Sequence, residues 1–202
     1  MKNEKSSLRK KADEVKKFRC KNVIAVLENP KDIINIGNII RTVNVLGAEK
    51  TYIIDETKKI PRDWEALRKK TPYLKKSASA IKWSFVKVFD DTQSCIEHLE
   101  KKKFVSYVTS PHLKDKENIV LHKGNYTDNK RIAIWFGNES KGISDFALRN
   151  SIKCINIPMY GIVESLNLAT TAGIVLYEVT KQRREYDKNY NRRGKARRAI
   201  LK

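Results

Sequence analysis

The sequence predicts a single α/β domain built on a parallel β-sheet with helices on both faces. Short apolar runs of strand length alternate with segments in which apolar residues recur every three or four positions. This alternation is typical of parallel sheets, whose strands are joined by crossover helices and buried on both sides. A chain of 202 residues is long enough for one domain with a substantial core and short for two.

The predicted elements follow in order along the chain. Ser6 or Ser7 is predicted to cap a first helix, whose apolar stripe comprises Leu8, Ala12, Val15 and Phe18. Six strands are predicted, at 23–27, 51–55, 84–89, 104–109, 131–136 and 154–157, and four further helices at 36–46, 92–101, 144–149 and 165 to about 186. Residues 56–80 predict a connection with at most a short helix around Trp64 to Arg68.

The positive charge is concentrated at the two ends of the chain. The net charge is +20, and residues 1–21 hold nine Lys and Arg against three acidic residues. Residues 181–202 hold ten against two. These numbers predict a basic helical arm (1–21), a central domain (22–186) and a basic, flexible extension (187–202). Such charge indicates a polyanionic partner, first of all RNA, although basic arms can also serve only solubility.

The cysteines and histidines give no sign of a metal site or a disulfide framework. Cys20, Cys95 and Cys154 are odd in number and far apart, and the three histidines, His98, His112 and His122, lack ligand spacing. No apolar run approaches the length of a membrane span or of a secretion signal. We therefore expect a cytoplasmic protein with buried or incidental thiols, no metal and no membrane partner.

Two polar stretches follow predicted strands. Asn35, Asn38 and Arg41 are predicted to share the polar side of the second helix, which is either a solvated face or a phosphate site. In Phe136 to Ile143, two glycines bracket a polar turn after a strand, where ligands of open α/β sheets bind. This turn either leads into a capped helix or holds a ligand, and it lacks the spacing of a nucleotide-hydrolysing phosphate loop.

The third stretch, residues 156–169, ends a strand at Pro158 and presents Ser165 and Asn167 before a long apolar helix. Ser165 is either the N-cap of that helix or part of a ligand site. A hydrolytic serine is not indicated, because no GxSxG elbow surrounds it.

The three stretches together resemble the motifs of the SpoU-type (TrmH-like) RNA ribose 2'-O-methyltransferases of the SPOUT class. The first motif, N-x-G-x-x-x-R, matches Asn35, Gly37 and Arg41. The second, F-G-x-E-x-x-G, matches Phe136, Gly137, Glu139 and Gly142. The third, I-P-M-x-G-x-x-x-S-L-N, matches Ile157, Pro158, Met159, Gly161, Ser165, Leu166 and Asn167. The resemblance covers residues 20 to 180.

The resemblance implies an α/β fold with a deep C-terminal trefoil knot that binds S-adenosylmethionine. It also implies a homodimer, in which the first motif of one subunit completes the site of the other. The implied cofactor contacts, largely through the backbone, are Thr109, Gly137, Asn138, Glu139, Ser140, Lys141, Ile157, Met159 and Leu166.

The implied catalytic residues are Arg41, Asn35, Glu139, Ser165 and Asn167. Arg41 matches the residue proposed to activate the ribose 2'-hydroxyl. Since a free guanidinium is a poor base near neutral pH, its role is either proton removal or electrostatic positioning. Asn35 and Asn167 would orient Arg41 and the ribose, Glu139 would hold the second-motif loop or position the substrate, and Ser165 would support the site.

The short basic ends resemble those of the tRNA enzymes that methylate the D-loop guanosine at position 18, which makes this the expected substrate. The alternatives are a tRNA wobble nucleotide, ribosomal RNA, or a non-catalytic RNA-binding protein on the same fold.

Overall fold

The fold was analysed in a computed structural model, which describes residues 6–63, 66, 69, 75–77, 80–112 and 117–200. Side chains are described throughout these ranges except at Lys17, Glu49 and 188–200. The strands are β1 (Cys20–Glu28), β2 (Ala48–Ile54), β3 (Phe85–Phe89), β4 (Val105–Thr109), β5 (Glu117–Val120), β6 (Ile132–Phe136) and β7 (Lys153–Asn156). The α-helices are α1 (Ser7–Val15), α2 (Ile33–Val45), α3 (Thr92–Lys101), α4 (Asp145–Arg149) and α5 (Leu168–Ile200).

The seven strands form one parallel sheet in the order β3-β2-β1-β6-β4-β7-β5. Strand β1 lies near the centre, and its residues Val23 to Leu27 pair with Ile132 to Phe136 of β6. All five of these β1 side chains are fully buried, as expected for a parallel strand covered on both faces. The carboxyl ends of β4, β6 and β7 therefore meet at one edge of the sheet.

Helices cover both faces of the sheet, as the sequence predicts. One apolar core, which includes Ile39 and Ile40 of α2 and Val175 of α5, packs on the first face. The second core includes Ile96 of α3 and Ala147 of α4. Alternate side chains of a strand point to opposite faces, so the central strands contribute to both cores.

Most of the predicted elements are confirmed, with three differences. Strand β5 lies where the sequence predicts a loop. The sequence does not reveal it, since its four residues are polar or half-exposed and lack a strand pattern. Helix α5 begins at Leu168 rather than Ser165. The backbone of 187–200 continues α5 as helix, so this predicted extension has regular structure; whether it is flexible stays a prediction. The predicted helix at Trp64 to Arg68 falls largely outside the described residues.

The N-terminal arm is helical, as predicted, and its cap is Ser6, whose hydroxyl accepts a hydrogen bond from the Arg9 N–H at 3.4 Å. The apolar stripe of this arm is uncovered, with Leu8 62% and Phe18 64% exposed. No helix in the described part of the chain combines the length and apolarity that crossing a bilayer would need. Cys20, Cys95 and Cys154 are all buried and form no disulfide, which agrees with the first of the two interpretations, buried or incidental, that the sequence leaves open.

The knot that the resemblance implies stays a prediction, since strand order alone does not fix which segment passes through which loop.

Candidate active site

A cavity of about 470 Å³ opens at the carboxyl ends of β4, β6 and β7. Ligands of open α/β sheets bind at this edge, and the volume falls within the usual range of small-molecule sites. All nine residues predicted to contact a cofactor line the cavity: Thr109, Gly137, Asn138, Glu139, Ser140, Lys141, Ile157, Met159 and Leu166. Ser165 and Asn167 also line it, so parts of the second and third motifs face the same space.

The loop after β6 is closed by two backbone hydrogen bonds. The N–H of Asn138 donates to the Gly142 carbonyl and the N–H of Gly142 donates to the Asn138 carbonyl, both at 2.9 Å. A Cβ atom on Gly137 would lie 2.2 Å from the carbonyl carbon of Gly142 and 2.3 Å from the nitrogen of Ile143. Gly142 has a φ of +69°, which a side chain would strain. The two motif glycines therefore permit the tight closure of this loop.

Asn138 organises the turn inside this loop. Its Oδ1 accepts hydrogen bonds from the N–H of Ser140 at 2.9 Å and of Lys141 at 3.0 Å. Its Nδ2 donates to the carbonyl of Asn29 at 2.6 Å, which ties the loop to the end of β1. The side chain of Asn138 is therefore occupied within the protein, and a ligand would contact the loop mainly through its backbone and its neighbours.

A hydrogen-bonded chain of three side chains joins the three motifs. Nδ2 of Asn167 donates to Oδ1 of Asn35 at 3.0 Å. Nδ2 of Asn35 in turn donates to Oε1 of Glu139 at 3.0 Å. The Glu139 carboxylate also accepts from the N–H groups of Lys31 at 2.9 Å and Asp32 at 3.2 Å, just before α2. Residues more than a hundred positions apart are thus fixed to one another beside the cavity.

The environment of Glu139 favours its charged form. Partial burial raises the pKa of the carboxyl, but the hydrogen bonds from Asn35 and from the backbone at Lys31 and Asp32 together hold the pKa below its ordinary value. An ionised carboxylate that already accepts three hydrogen bonds is suited to holding the loop, one of the two roles that the sequence leaves open.

The first motif is divided by this arrangement, which corrects the prediction that Asn35, Asn38 and Arg41 share a polar face. Asn35 is only 6% exposed and points into the protein, because its side-chain amide is hydrogen-bonded to Glu139 and Asn167. Asn38 and Arg41 are exposed on α2, and Arg41 does not line the cavity. Six residues of helix place Arg41 about 9 Å further along the axis than Asn35.

The segment between β7 and α5 forms an open wall of the cavity. In the described part of the chain, no hydrogen bond joins the backbone of residues 158–166 to other residues. Asn167, rather than Ser165, is the N-cap of α5: its Oδ1 accepts from the N–H of Ala169 at 2.8 Å and of Thr170 at 3.2 Å. Ser165 is exposed and lines the cavity, and it takes no part in the cap.

Several cavity residues were not identified from the sequence. Ser110, Pro111 and His112 directly follow Thr109 and form a further part of the wall. Their position directly after a predicted strand could have indicated this, because the carboxyl ends of all parallel strands lie on the same side of the sheet. Lys31 and Asp32 hold the Glu139 carboxylate through their backbone N–H groups. Almost every residue type has such a group, so the sequence does not indicate this role.

The neighbouring carboxylates are also engaged. Glu28, 2% exposed, accepts from the hydroxyls of Thr92 at 2.8 Å and Ser144 at 2.6 Å. Asp55, 4% exposed, accepts from the hydroxyl of Thr57 and the N–H of Ile60, both at 2.6 Å. Among the described residues, no group of three His, Cys, Asp or Glu side chains is placed to hold a metal ion. The lining of the cavity comprises amides, hydroxyls and apolar side chains, together with Glu139, Lys141 and His112.

Known proteins of similar sequence include tRNA (guanosine(18)-2'-O)-methyltransferases. That of Thermus thermophilus is 28% identical over 175 residues, which span 87% of this chain and 82% of the relative. That of Aquifex aeolicus is 28% identical over 176 residues, 87% of this chain and 77% of the relative.

Solved structures share the fold. The A. aeolicus TrmH/SpoU tRNA modifying enzyme matches with a TM-score of 0.71 and 27% identity, over 90% of this chain and 87% of that one. The methyltransferase AviRb from Streptomyces viridochromogenes, crystallised with AdoMet, matches with a TM-score of 0.68 and 21% identity, over 82% and 62%. Residues 22–177 match the model of the SpoU rRNA Methylase family, and the chain belongs to that family.

Proposed function

We propose that this protein transfers a methyl group from S-adenosylmethionine to a ribose 2'-hydroxyl of tRNA, at the D-loop guanosine 18. The observation that carries the proposal is the chain Asn167, Asn35, Glu139, which joins the three motifs beside one cavity. The relatives from T. thermophilus and A. aeolicus, which bear the name of this activity, support the choice of nucleotide.

The cavity fits the proposed cofactor, which would supply an electrophilic methyl group on a sulfonium. Ile157, Met159 and Leu166 offer an apolar wall for an adenine ring. The backbone groups of residues 158–166 can form hydrogen bonds with the polar edge of the adenine. Thr109 lines the cavity at the end of β4. In this arrangement the protein contributes alignment and exclusion of water.

Arg41 would act on the ribose of a site that the second subunit supplies. Its own α2 is held at the cavity through Asn35, but Arg41 itself lies further along the helix and outside the cavity wall. An exposed guanidinium beside a substrate phosphate can orient the 2'-hydroxyl for in-line attack, or take its proton.

A homodimer is supported by exposed apolar side chains next to the cavity. Tyr160, Ile162 and Val163 are 95%, 102% and 73% exposed, and Ile174 and Tyr177 of α5 are 41% and 57% exposed. Large apolar side chains exposed close together in the sequence are often found at protein interfaces. A second copy of the chain is the proposed occupant, because the cavity lacks the Arg41 that the reaction needs.

The central experiment measures methyl transfer and maps its position. Purified protein is incubated with labelled S-adenosylmethionine and unmodified tRNA transcripts, and the methylated nucleotide is identified. We expect a single product at guanosine 18, lost in Arg41→Ala while S-adenosylmethionine binding persists. Absence of S-adenosylmethionine binding by calorimetry would refute the proposal, and methylation at the wobble position or of ribosomal RNA only would correct the substrate.

The dimer is tested by mixing two inactive variants. Arg41→Ala keeps an intact cavity, whereas Gly137→Ala keeps Arg41 and disrupts the loop. If the sites are shared, random mixed dimers regain about a quarter of the wild-type activity, since half of them hold one complete site of two. If Arg41 serves its own subunit, mixing restores nothing, and a monomer in sedimentation would exclude the shared site altogether.

A further inference from the structure

A cluster of aromatic and basic side chains lies on the β3 edge of the sheet, away from the cavity. The ring of His98 on α3 packs against Tyr52 of β2 and Phe89 of β3, with centroid distances of 5.6 and 5.4 Å. β3 is separated from β6 by β2 and β1, which places this cluster about 15 Å or more from the cavity at the usual strand spacing.

Two lysines are held on these aromatic rings. Nζ of Lys87 lies 4.6 Å from the centroid of Phe89 and 3.2 Å from Nδ1 of His98. Nζ of Lys50 lies 5.6 Å from the centroid of Phe85, whose ring is 48% exposed. Cation–π contacts restrict where these ammonium groups can lie, so their charges are presented at defined positions on the surface.

The hydrogen bonds around His98 favour the neutral imidazole. Nδ1 accepts from the Lys87 ammonium, which leaves Nε2–H to donate to the Tyr52 hydroxyl at 3.3 Å. Burial lowers the pKa of His98, and the positive charges of Lys87, Lys102, Lys50 and Lys101 lower it further. The four lysines therefore combine into one local positive field.

These four lysines form no salt bridge in the described part of the chain. None of the ion pairs found there involves Lys50, Lys87, Lys101 or Lys102. The last two follow one another at the end of α3 and are exposed. Four lysines whose charges converge without carboxylate partners form a site for a polyanion rather than an internal salt-bridge network.

We propose that Lys50, Lys87, Lys101 and Lys102 bind backbone phosphates of the RNA substrate, at a docking surface separate from the cavity. The proposal rests on the proposed function for the identity of the polyanion. Lysines on β2, on β3 and at the end of α3 match phosphates as point charges, and the exposed Phe85 can contact a sugar or base beside them. The surface would position the RNA while the cavity acts on one nucleotide.

The first test compares charge reversals at two exposed lysines. Lys102→Glu lies within the cluster, whereas Lys123→Glu, its matched control, lies after β5 at the other edge of the sheet. Binding of an unmodified tRNA transcript is followed by fluorescence anisotropy at several salt concentrations. For Lys102→Glu we expect a Kd raised about five- to tenfold and a salt slope reduced by about 1, with Lys123→Glu near wild type.

Equal effects of the two variants, or no effect of Lys102→Glu, would overturn the proposal. Affinity for S-adenosylmethionine and the rate at saturating tRNA should be unchanged in Lys102→Glu, because the variant lies far from the cavity. This comparison uses binding alone, so it remains decisive even if the wild-type protein fails to methylate tRNA, which would refute the proposed function and not the docking surface.

The second test uses His98 as a reporter. The charged groups that act on its ring are Lys50 of β2, Lys87 of β3, and Lys101 and Lys102 of α3 and its end. Bound phosphates would offset these positive charges, so the His98 pKa measured by NMR should rise by at least about half a unit with saturating tRNA. An unchanged titration with bound RNA would show that the phosphates lie elsewhere.

Discussion

Replacing Glu139 by alanine tests the link between the three motifs. The change removes the acceptor of three hydrogen bonds, from Asn35 and from the N–H groups of Lys31 and Asp32. Because residue 139 is exposed, water can replace the carboxylate at the two backbone groups. The amide of Asn35 is 6% exposed, and an unsatisfied buried donor costs about 1–3 kcal/mol.

We therefore expect the free energy of unfolding to fall by about 2 kcal/mol in Glu139→Ala at pH 7. In a chain of this size this lowers Tm by about 4–8 °C. Urea denaturation followed by circular dichroism measures the difference. Glu100→Ala, at an exposed position of α3, is the control and should stay within about 0.5 kcal/mol of wild type.

The effect should also depend on pH. The folded pKa of Glu139 lies below its ordinary value of 4.5, so this carboxylate stabilises the fold above that pH. The contribution is lost as the pH falls through the folded pKa, so the difference in free energy of unfolding between wild type and Glu139→Ala should narrow as the pH is lowered below 4.5. If the two free energies of unfolding differ by less than about 0.5 kcal/mol at pH 7, or if their difference does not change on acidification, the assigned role of Glu139 is refuted.

Three further outcomes are expected. Gly137→Ala should weaken S-adenosylmethionine binding at least about tenfold, since its Cβ would meet the Gly142 carbonyl carbon at 2.2 Å. Gly161→Ala, with no atom within 4 Å of the new Cβ, should bind normally by calorimetry; equal losses would contradict the closed loop. Asn167→Ala should cost about 1–2 kcal/mol in thermal unfolding through removal of the cap, and Asn167→Ser should recover part of it; no recovery would mean that the cap contributes little. Removing residues 187–202 should flatten the plot of log K for tRNA binding against log salt concentration, by about one unit of slope for each phosphate that the segment neutralises. An unchanged slope would mean that this basic segment serves solubility instead.

The sequence was sufficient for the fold class, for a physical reason. In a parallel sheet, buried strands are continuous apolar runs and every strand end faces the same edge, so motifs after different strands must meet. The cofactor contacts themselves were implied by the family resemblance. Gly137 to Lys141, Ile157, Met159 and Leu166 line one cavity, and their contact with a cofactor stays a prediction.

Side-chain direction was harder to predict. Asn35 looked like a surface residue because its neighbours alternate as an amphipathic helix, yet it is buried by partners at 139 and 167 that local periodicity does not reveal. Ser165 matched the residue preference of an N-cap, but Asn167 has the same preference and holds the position. β5 was missed because it has only four residues, two of them polar, and none of the four is fully buried.

The central place of β1 bears on synthesis of the chain. Residues 20–28 pair on one side with β2, which follows within about twenty-five residues, but on the other side with β6, about a hundred residues later. At a translation rate of about 5–20 residues per second, the apolar edge of β1 stays unpaired for about 5–20 s after it emerges from the ribosome. During that interval the nascent chain presents an open strand edge to other chains, so a chaperone that shields residues 20–28 should raise the yield of folded protein.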